Sequence, residues 1–159
     1  MLRSKEKEKE TFRVVATNRK AYHDYHVLET MEAGLVLAGT EIKSVRTGKV
    51  SLQDGFARVE RGEGWLENVY IAPYEHAGRF NVEPRRRRKL LLHRDELNRL
   101  IGKVQEKGLT LVPLRMYVKG NRAKVELALA RGKRAYDKRE AIAERDARRE
   151  IERATKREY

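Results

Sequence analysis

Polar and apolar positions change rhythm several times along the chain. Residues 1–17 carry the repeat KEKEKE and too little apolar surface to offset their own ordering entropy, so a flexible charged arm is expected there. From Tyr22 the run YHDYHVLETMEAGLVLAG is dense in Val, Leu and Tyr and reads as two strands turning at Glu32 and Gly34. TEIKSVRTG follows as a short helix, with Thr40 as N-cap, Ile42 and Val45 three apart on one face, and Gly48 as the stop. In FARVERGEGWLENVYIAP, Phe56 and Arg58 alternate with Ala57 and Val59, RGEG supplies a turn, and the segment is a hairpin closed by Pro73.

Beyond a basic run, the rhythm becomes helical. In HRDELNRLIGKVQEKG, Leu97, Leu100, Ile101 and Val104 fall on one face, Asp95 and Glu96 suit the N-terminus and Gly108 the C-terminus. A second hairpin spans LTLVPLRMYVKGNRAKVELALARG: Val125, Leu127 and Leu129 alternate with Lys124, Glu126 and Ala128, the turn is at Gly120 and Asn121, and Pro113 marks an edge or a bulge. Short strands with Gly turns around an embedded helix predict a mainly β fold with helices (α+β), a small OB-like barrel over residues 18–130. Residues 131–159 form a basic tail. Its apolar stripe, Ala143, Ala147, Ile151 and Ala154, is too small to dock a helix, so the tail is expected to be disordered until a surface neutralises its arginines.

Charge narrows the partner. Lys and Arg number 37 against 24 Asp and Glu in 159 residues, a net charge of +13, which favours a polyanion. Nucleic acid leads this reading, with an anionic membrane surface or plain solubility as the alternatives. The absence of Cys removes disulfides, thiolate nucleophiles and Cys-bearing zinc sites. The N-terminal residues lack the apolar run of a signal peptide and no stretch is long enough to span a bilayer, so a soluble cytoplasmic protein without membrane contact is expected.

The densest candidate chemistry is NVEPRRRRKLLLH, where Arg85, Arg86, Arg87, Arg88 and Lys89 offer guanidinium forks and an ammonium to phosphate. Leu90, Leu91 and Leu92 fit the core better than contact by composition. Lys43, Arg46 and Lys49 make a second basic cluster, and Lys124 alternates away from the apolar face of its strand. Tyr22, Tyr25, Tyr70, Tyr74 and Tyr117 are candidates to stack on bases, although strand tyrosines more often pack half-buried. For catalysis little is present. His23 and His26 would face opposite sides of a strand, His76 and His93 have no partner at an informative spacing, and Glu41 and Asp54 read as local pairing or capping. No phosphate loop, nucleophile elbow or zinc-protease motif occurs. No enzyme, cofactor or metal is expected.

Taken in order, NRKAYHDY, ETMEAGLVLAGTEIKSVRTGKVSL, IAPYE, RRRRKLLLHRDEL, GLTLVPLRMYVKG, AKVELALARGK and DKRE closely resemble the small protein B family, the tmRNA-binding proteins of bacterial trans-translation. The resemblance runs from about Asn18 to Glu140. It implies a non-enzymatic adaptor, monomeric, that binds the tRNA-like domain of tmRNA on an OB-like barrel. With elongation factor Tu and GTP, such an adaptor delivers alanyl-tmRNA to ribosomes stalled on messages lacking a stop codon. The tail would become helical inside the empty mRNA channel of the small subunit.

Carried across motif by motif, the resemblance implies tmRNA binding for Glu32, Leu91 and Lys124, to which the basic patch adds Lys43, Arg46, Arg86, Arg88 and Lys89. It implies contact with the decoding centre for Gly132, Lys133, Asp137, Lys138 and Arg139, with Arg134 and Tyr136 in the same tail start and Tyr136 suited to stacking on a base. Relatives carry Asn-His where this chain has Asn81-Val82, so no imidazole contact carries over there. The KEKEKE arm lies outside the match. Composition alone would equally support a general single-stranded RNA-binding or ribosomal protein.

Overall fold

The computed structural model describes residues 12–133 and 135–157. In chain order the elements are β1 (Phe12–Thr17), α1 (Arg19–Asp24), β2 (Tyr25–Leu35), α2 (Gly39–Arg46), β3 (Val50–Ser51), β4 (Phe56–Glu60) and β5 (Glu63–Glu67). They continue with β6 (Tyr70–Ile71), a 3-10 turn (Gly78–Phe80), β7 (Arg88–Leu91), α3 (Arg94–Lys107), β8 (Thr110–Lys119), β9 (Arg122–Gly132) and α4 (Ala135–Arg157). The class is mixed α+β, with an antiparallel sheet ordered β1-β8-β4-β5-β7-β2-β9 in which β9 also pairs with β8. Strands β8, β4, β5, β7, β2 and β9 therefore form a closed ring, with β1 added outside on β8 and β3 paired with β6 as a separate small sheet.

The ring forms because strand periodicity sends alternate residues inward. On β9, Val125, Leu127 and Leu129 enter the main core with Leu66, Leu90 and Met116, all at most 3 % exposed; each such leucine is worth about 1.5–3 kcal/mol over exposure. The intervening Ala128 and Ala130 join a second cluster with Val112, Leu114 and Ala21 of α1, where small side chains let α1 sit close to the strands. The β4–β5 turn has two residues, Arg61 at φ 52° and Gly62 at φ 75°, the pair of positive values a type I′ hairpin needs. Helix α3 buries Leu97 and Leu100 and ends at Gly108 in the left-handed region. Pro113 stands at a β8 register shift, as its sequence position implied.

Four expectations are corrected. Phe12–Thr17 is strand, not arm, because β8 offers a free edge along which Phe12 pairs with Lys119 and Thr17 with Arg115; residues 5–10, the KEKEKE segment, lie outside the described residues. Glu32 and Gly34 mark no turn, since β2 runs unbroken through both and is held by β9 along its length. Helix α2 is capped at Ala38 rather than Thr40, because the Glu41 carboxylate reaches back to accept from the Ala38 N–H at 2.9 Å. His23 and His26 do not share a strand: the first is in α1, with Nδ1 3.0 Å from the Asp24 carboxylate, and the second follows Tyr25 in β2.

The tail is the continuous helix α4, and every described α4 side chain is exposed, including Ile142 and Ile151. Its weak apolar stripe gives it helix-forming residues but nothing to pack, as the sequence indicates, so its helicity depends on local propensity and ion pairs four residues apart. No described helix is long and apolar enough to cross a membrane.

Candidate nucleic-acid interface

The run Arg85–Lys89 enters β7, and strand alternation splits it. Arg88 and Leu90 turn inward at 0 % and 3 % exposure, while Leu91 faces outward. Arg88 is consumed by the interior: Nε donates to Glu41 Oε2 at 2.6 Å, one terminal nitrogen to the Val69 carbonyl at 2.6 Å, the other to the Pro84 carbonyl at 2.8 Å. Arg86 shares Glu41, its Nε donating to Oε1 at 3.1 Å. Burial would push the Glu41 carboxyl up, but donation from Arg86, the Ala38 N–H and Arg88 overrides it and holds the group below the usual carboxylate value. Arg88 thus leaves the candidate interface, and Arg86 is a half-buried brace joining the basic loop to α2. Arg85, Arg87 and Lys89 remain at the surface, with Arg87 4.0 Å over the Trp65 ring and Lys89 3.3 Å from Glu63.

One lateral row crosses three strands. Gly34 of β2 pairs with Leu91 of β7 on one side and Lys124 of β9 on the other. A Cβ at Gly34 would lie 3.2 Å from Leu91 Cβ and 3.6 Å from Lys124 Nζ, so the missing side chain lets Leu91 and Lys124 converge across it. Leu91 is 55 % exposed. Lys124 has no ion pair or side-chain hydrogen bond among the described residues, so its ammonium is available to a phosphate. Beside the row is a groove of about 340 Å³ whose lining includes Val36, Leu37 and Ile42 together with Leu91, Arg122 and Lys124. Apolar leucine, bare backbone and free ammonium together suit a sugar–phosphate edge or a base face.

Glu32 lies two residues from Gly34 on the same face of β2. Its carboxylate accepts from the Tyr117 hydroxyl of β8, and burial together with that bond raises the Tyr117 pKa. Phe12 of β1 packs on Tyr117 at 4.7 Å between ring centroids, and Arg115 pairs with Glu126 at 2.7 Å in the neighbouring row. Tyr117 is therefore a buried prop and not a stacking platform; a strand tyrosine two residues from a charged outward position was the available signal. On α2, Lys43 and Arg46 are exposed, and Lys43 Nζ stands 5.0 Å over the Tyr74 ring. Because Ile42 lines the groove and Glu41 anchors Arg86, α2 joins both basic clusters to the Leu91–Lys124 row.

The tail starts elsewhere. Gly132 pairs with Tyr25, and the Lys133 N–H donates to the Asp24 carbonyl at 2.8 Å. Along β9, eight residues separate Lys124 from Gly132, about 26 Å at the strand rise. Tyr136, Asp137, Lys138 and Arg139 occupy the first turns of α4; Arg134 is outside the described residues. Among the described residues no cluster of His, Asp or Glu is arranged to hold a metal.

The SmpB protein family profile matches residues 15–157. SsrA-binding proteins of Carboxydothermus hydrogenoformans and Desulforudis audaxviator are 62 % identical over 92 % of this chain and 60 % identical over 93 %, covering 99 % and 97 % of those relatives. A solved structure described as "tmRNA-SmpB: a journey to the center of the bacterial ribosome" is 58 % identical, with a TM-score of 0.66, over 81 % of this chain and 94 % of the other.

Proposed function

The chain belongs to the SmpB family, and from that premise we propose that it is the RNA-binding adaptor that carries tmRNA into stalled ribosomes. It is an SsrA-binding, tmRNA-binding protein of trans-translation, without catalytic chemistry of its own. The observation that carries the reading to particular residues is the Leu91–Gly34–Lys124 row, with its groove, set against the basic face of α2. The closed ring supports regarding the body as a small OB-like barrel, a fold that presents such faces to nucleic acid. The tRNA-like domain of tmRNA occupies this face. Glu32, held by Tyr117, accepts from base amino or 2′-hydroxyl donors, which offsets its repulsion by phosphate.

The tail begins at Gly132, at the other end of β9 from Lys124 of this face. Its residues from Lys133 through Arg139 meet the decoding centre, and α4 lies in the empty mRNA channel of the small subunit. Elongation factor Tu with GTP joins through the aminoacylated end of tmRNA, and one protein copy serves each RNA. This places the protein in the cytoplasm.

Titrating the tRNA-like fragment of tmRNA against an unrelated RNA of equal length tests the reading. A strong preference for the fragment is expected; equal affinities with equally steep salt slopes would favour a general single-stranded RNA binder. Lys124→Ala is expected to weaken fragment binding about tenfold and to reduce the slope of log K against log salt by about 1. An unchanged slope would mean that Lys124 does not face a phosphate.

A further inference from the structure

From the loop between β6 and β7 we propose a second RNA contact, in which Phe80 stacks on an unpaired nucleobase; this rests on the RNA-adaptor reading and extends it to a surface outside the Leu91–Lys124 groove. Phe80 is 72 % exposed, the most exposed large apolar side chain among the described residues. Burial therefore does not explain its presence, although single exposed apolar residues are common enough that exposure alone would argue nothing.

The loop beneath it is built to hold still. Asn81 closes its base with two hydrogen bonds to one residue: its Oδ1 accepts from the Tyr74 N–H at 2.9 Å and its Nδ2 donates to the Tyr74 carbonyl at 2.9 Å. The same Nδ2 donates to the Gly78 carbonyl at 3.2 Å, and the Phe80 N–H donates to the Ala77 carbonyl at 3.0 Å, so the tip is cross-braced. Gly78, at φ 50°, makes the turn that lifts Arg79 and Phe80 out. Rigid presentation lowers the entropy lost when an aromatic side chain engages a partner.

Chemistry around the tip selects that partner. The Arg79 guanidinium stands 5.2 Å from the Phe80 ring centroid, a cation beside an aromatic face. Tyr74 at the loop base has Lys43 of α2 over its ring at 5.0 Å and His76 at its edge at 5.3 Å. Arg85 stands 5.4 Å over Tyr70 on the strand leading into the loop. With one guanidinium at the Phe80 ring and further cations on the rings at the loop base and its leading strand, a basic protein surface is disfavoured, whereas a nucleotide offers a flat base for Phe80 and a phosphate for Arg79. The base belongs to tmRNA or to ribosomal RNA; the chemistry is shared.

Phe80→Ala is expected to lower affinity about tenfold for whichever RNA supplies the base, without shifting the salt slope, and Phe80→Trp to restore it. Both the tRNA-like fragment and the 70S ribosome carrying the tmRNA complex are titrated. A photoreactive phenylalanine analogue at position 80, mapped by primer extension, should crosslink to an unpaired nucleotide of one of them and so identify the source. Unchanged affinity for both, with no RNA crosslink, overturns the proposal. If Lys124→Ala still weakens binding in that case, the adaptor reading survives; if it too has no effect, that reading fails first.

Discussion

Arg88→Met is expected to be the most destabilising single substitution in the body, costing about 3–5 kcal/mol of the roughly 5–15 kcal/mol that holds a domain of this kind together. The loss has two parts. Glu41, only 3 % exposed, keeps Arg86 but loses the interior cation beside Oε2, and the Val69 and Pro84 carbonyls lose their donors. Replacing Glu41 by Leu in the same chain should recover part of the loss, because an apolar pair removes the stranded charge, but not all, because both carbonyls stay unpaired. Urea unfolding midpoints of the parent, the two single variants and the double variant measure the coupling. Acid gives an independent check. Glu41 has a folded pKa below its ordinary value of 4.5, so its contribution is fully present above about pH 4.5 and disappears as the pH falls through the lowered folded value. Glu41→Leu should therefore lose stability less steeply than the parent below that point. An Arg88→Met protein as stable as the parent would show that the buried cluster contributes specificity and no net stability.

This cluster also shows what the sequence concealed and why. Four consecutive arginines read as one basic surface because composition has no direction. Strand periodicity does: counting back by two from the buried Leu90 reaches Arg88, which turns toward Glu41, whereas Arg86 reaches the same carboxylate from the turn before the strand. That signal was present in RRRRKLLL. What supplied no signal was the partner, since Glu41 is 47 residues away from Arg88. Gly34 was misread for a similar reason. A glycine in an apolar run suggests a turn, but here it clears space between Leu91 and Lys124, side chains on strands distant in sequence.

Local features were more legible. Both long hairpins, the α3 periodicity and its Gly108 stop, and the Pro113 irregularity depend on neighbours within a few residues. Strand β1 was missed because it directly follows the KEKEKE run and was read together with it, although FRVVAT carries a single charge; the β8 edge that pairs with it is about a hundred residues away in sequence. Of the candidate interface, Lys124 was legible from strand alternation as well as from the family motif, Leu91 from the motif alone, and the structure brings them together across Gly34. The prop under Glu32 and the rigid Phe80 tip came from coordinates alone.

Ending the chain after Lys133 is expected to abolish peptide tagging on stalled ribosomes while leaving affinity for the tRNA-like fragment within about twofold, as distant independent sites should behave. The cut belongs there for a structural reason. Gly132 still pairs with Tyr25, and the Lys133 N–H still closes the end of β9 on the Asp24 carbonyl, so the ring keeps its last hydrogen bond. Among the described residues nothing is taken from the core either, because every described α4 side chain is exposed. What goes is a helix of 23 residues, about 35 Å long, rooted about 26 Å along β9 from Lys124. At that separation the root of the tail cannot share a phosphate with Lys124, so RNA capture and ribosome entry should fail separately. Fragment titration and a tagging assay on a message lacking a stop codon, run on the same preparation, measure both. Loss of both would make the tail part of the RNA-binding surface. Loss of neither would leave α4 without a role in the ribosome, and the exposed Ile142 and Ile151, nine residues apart and so on opposite faces of the helix, would then need another explanation.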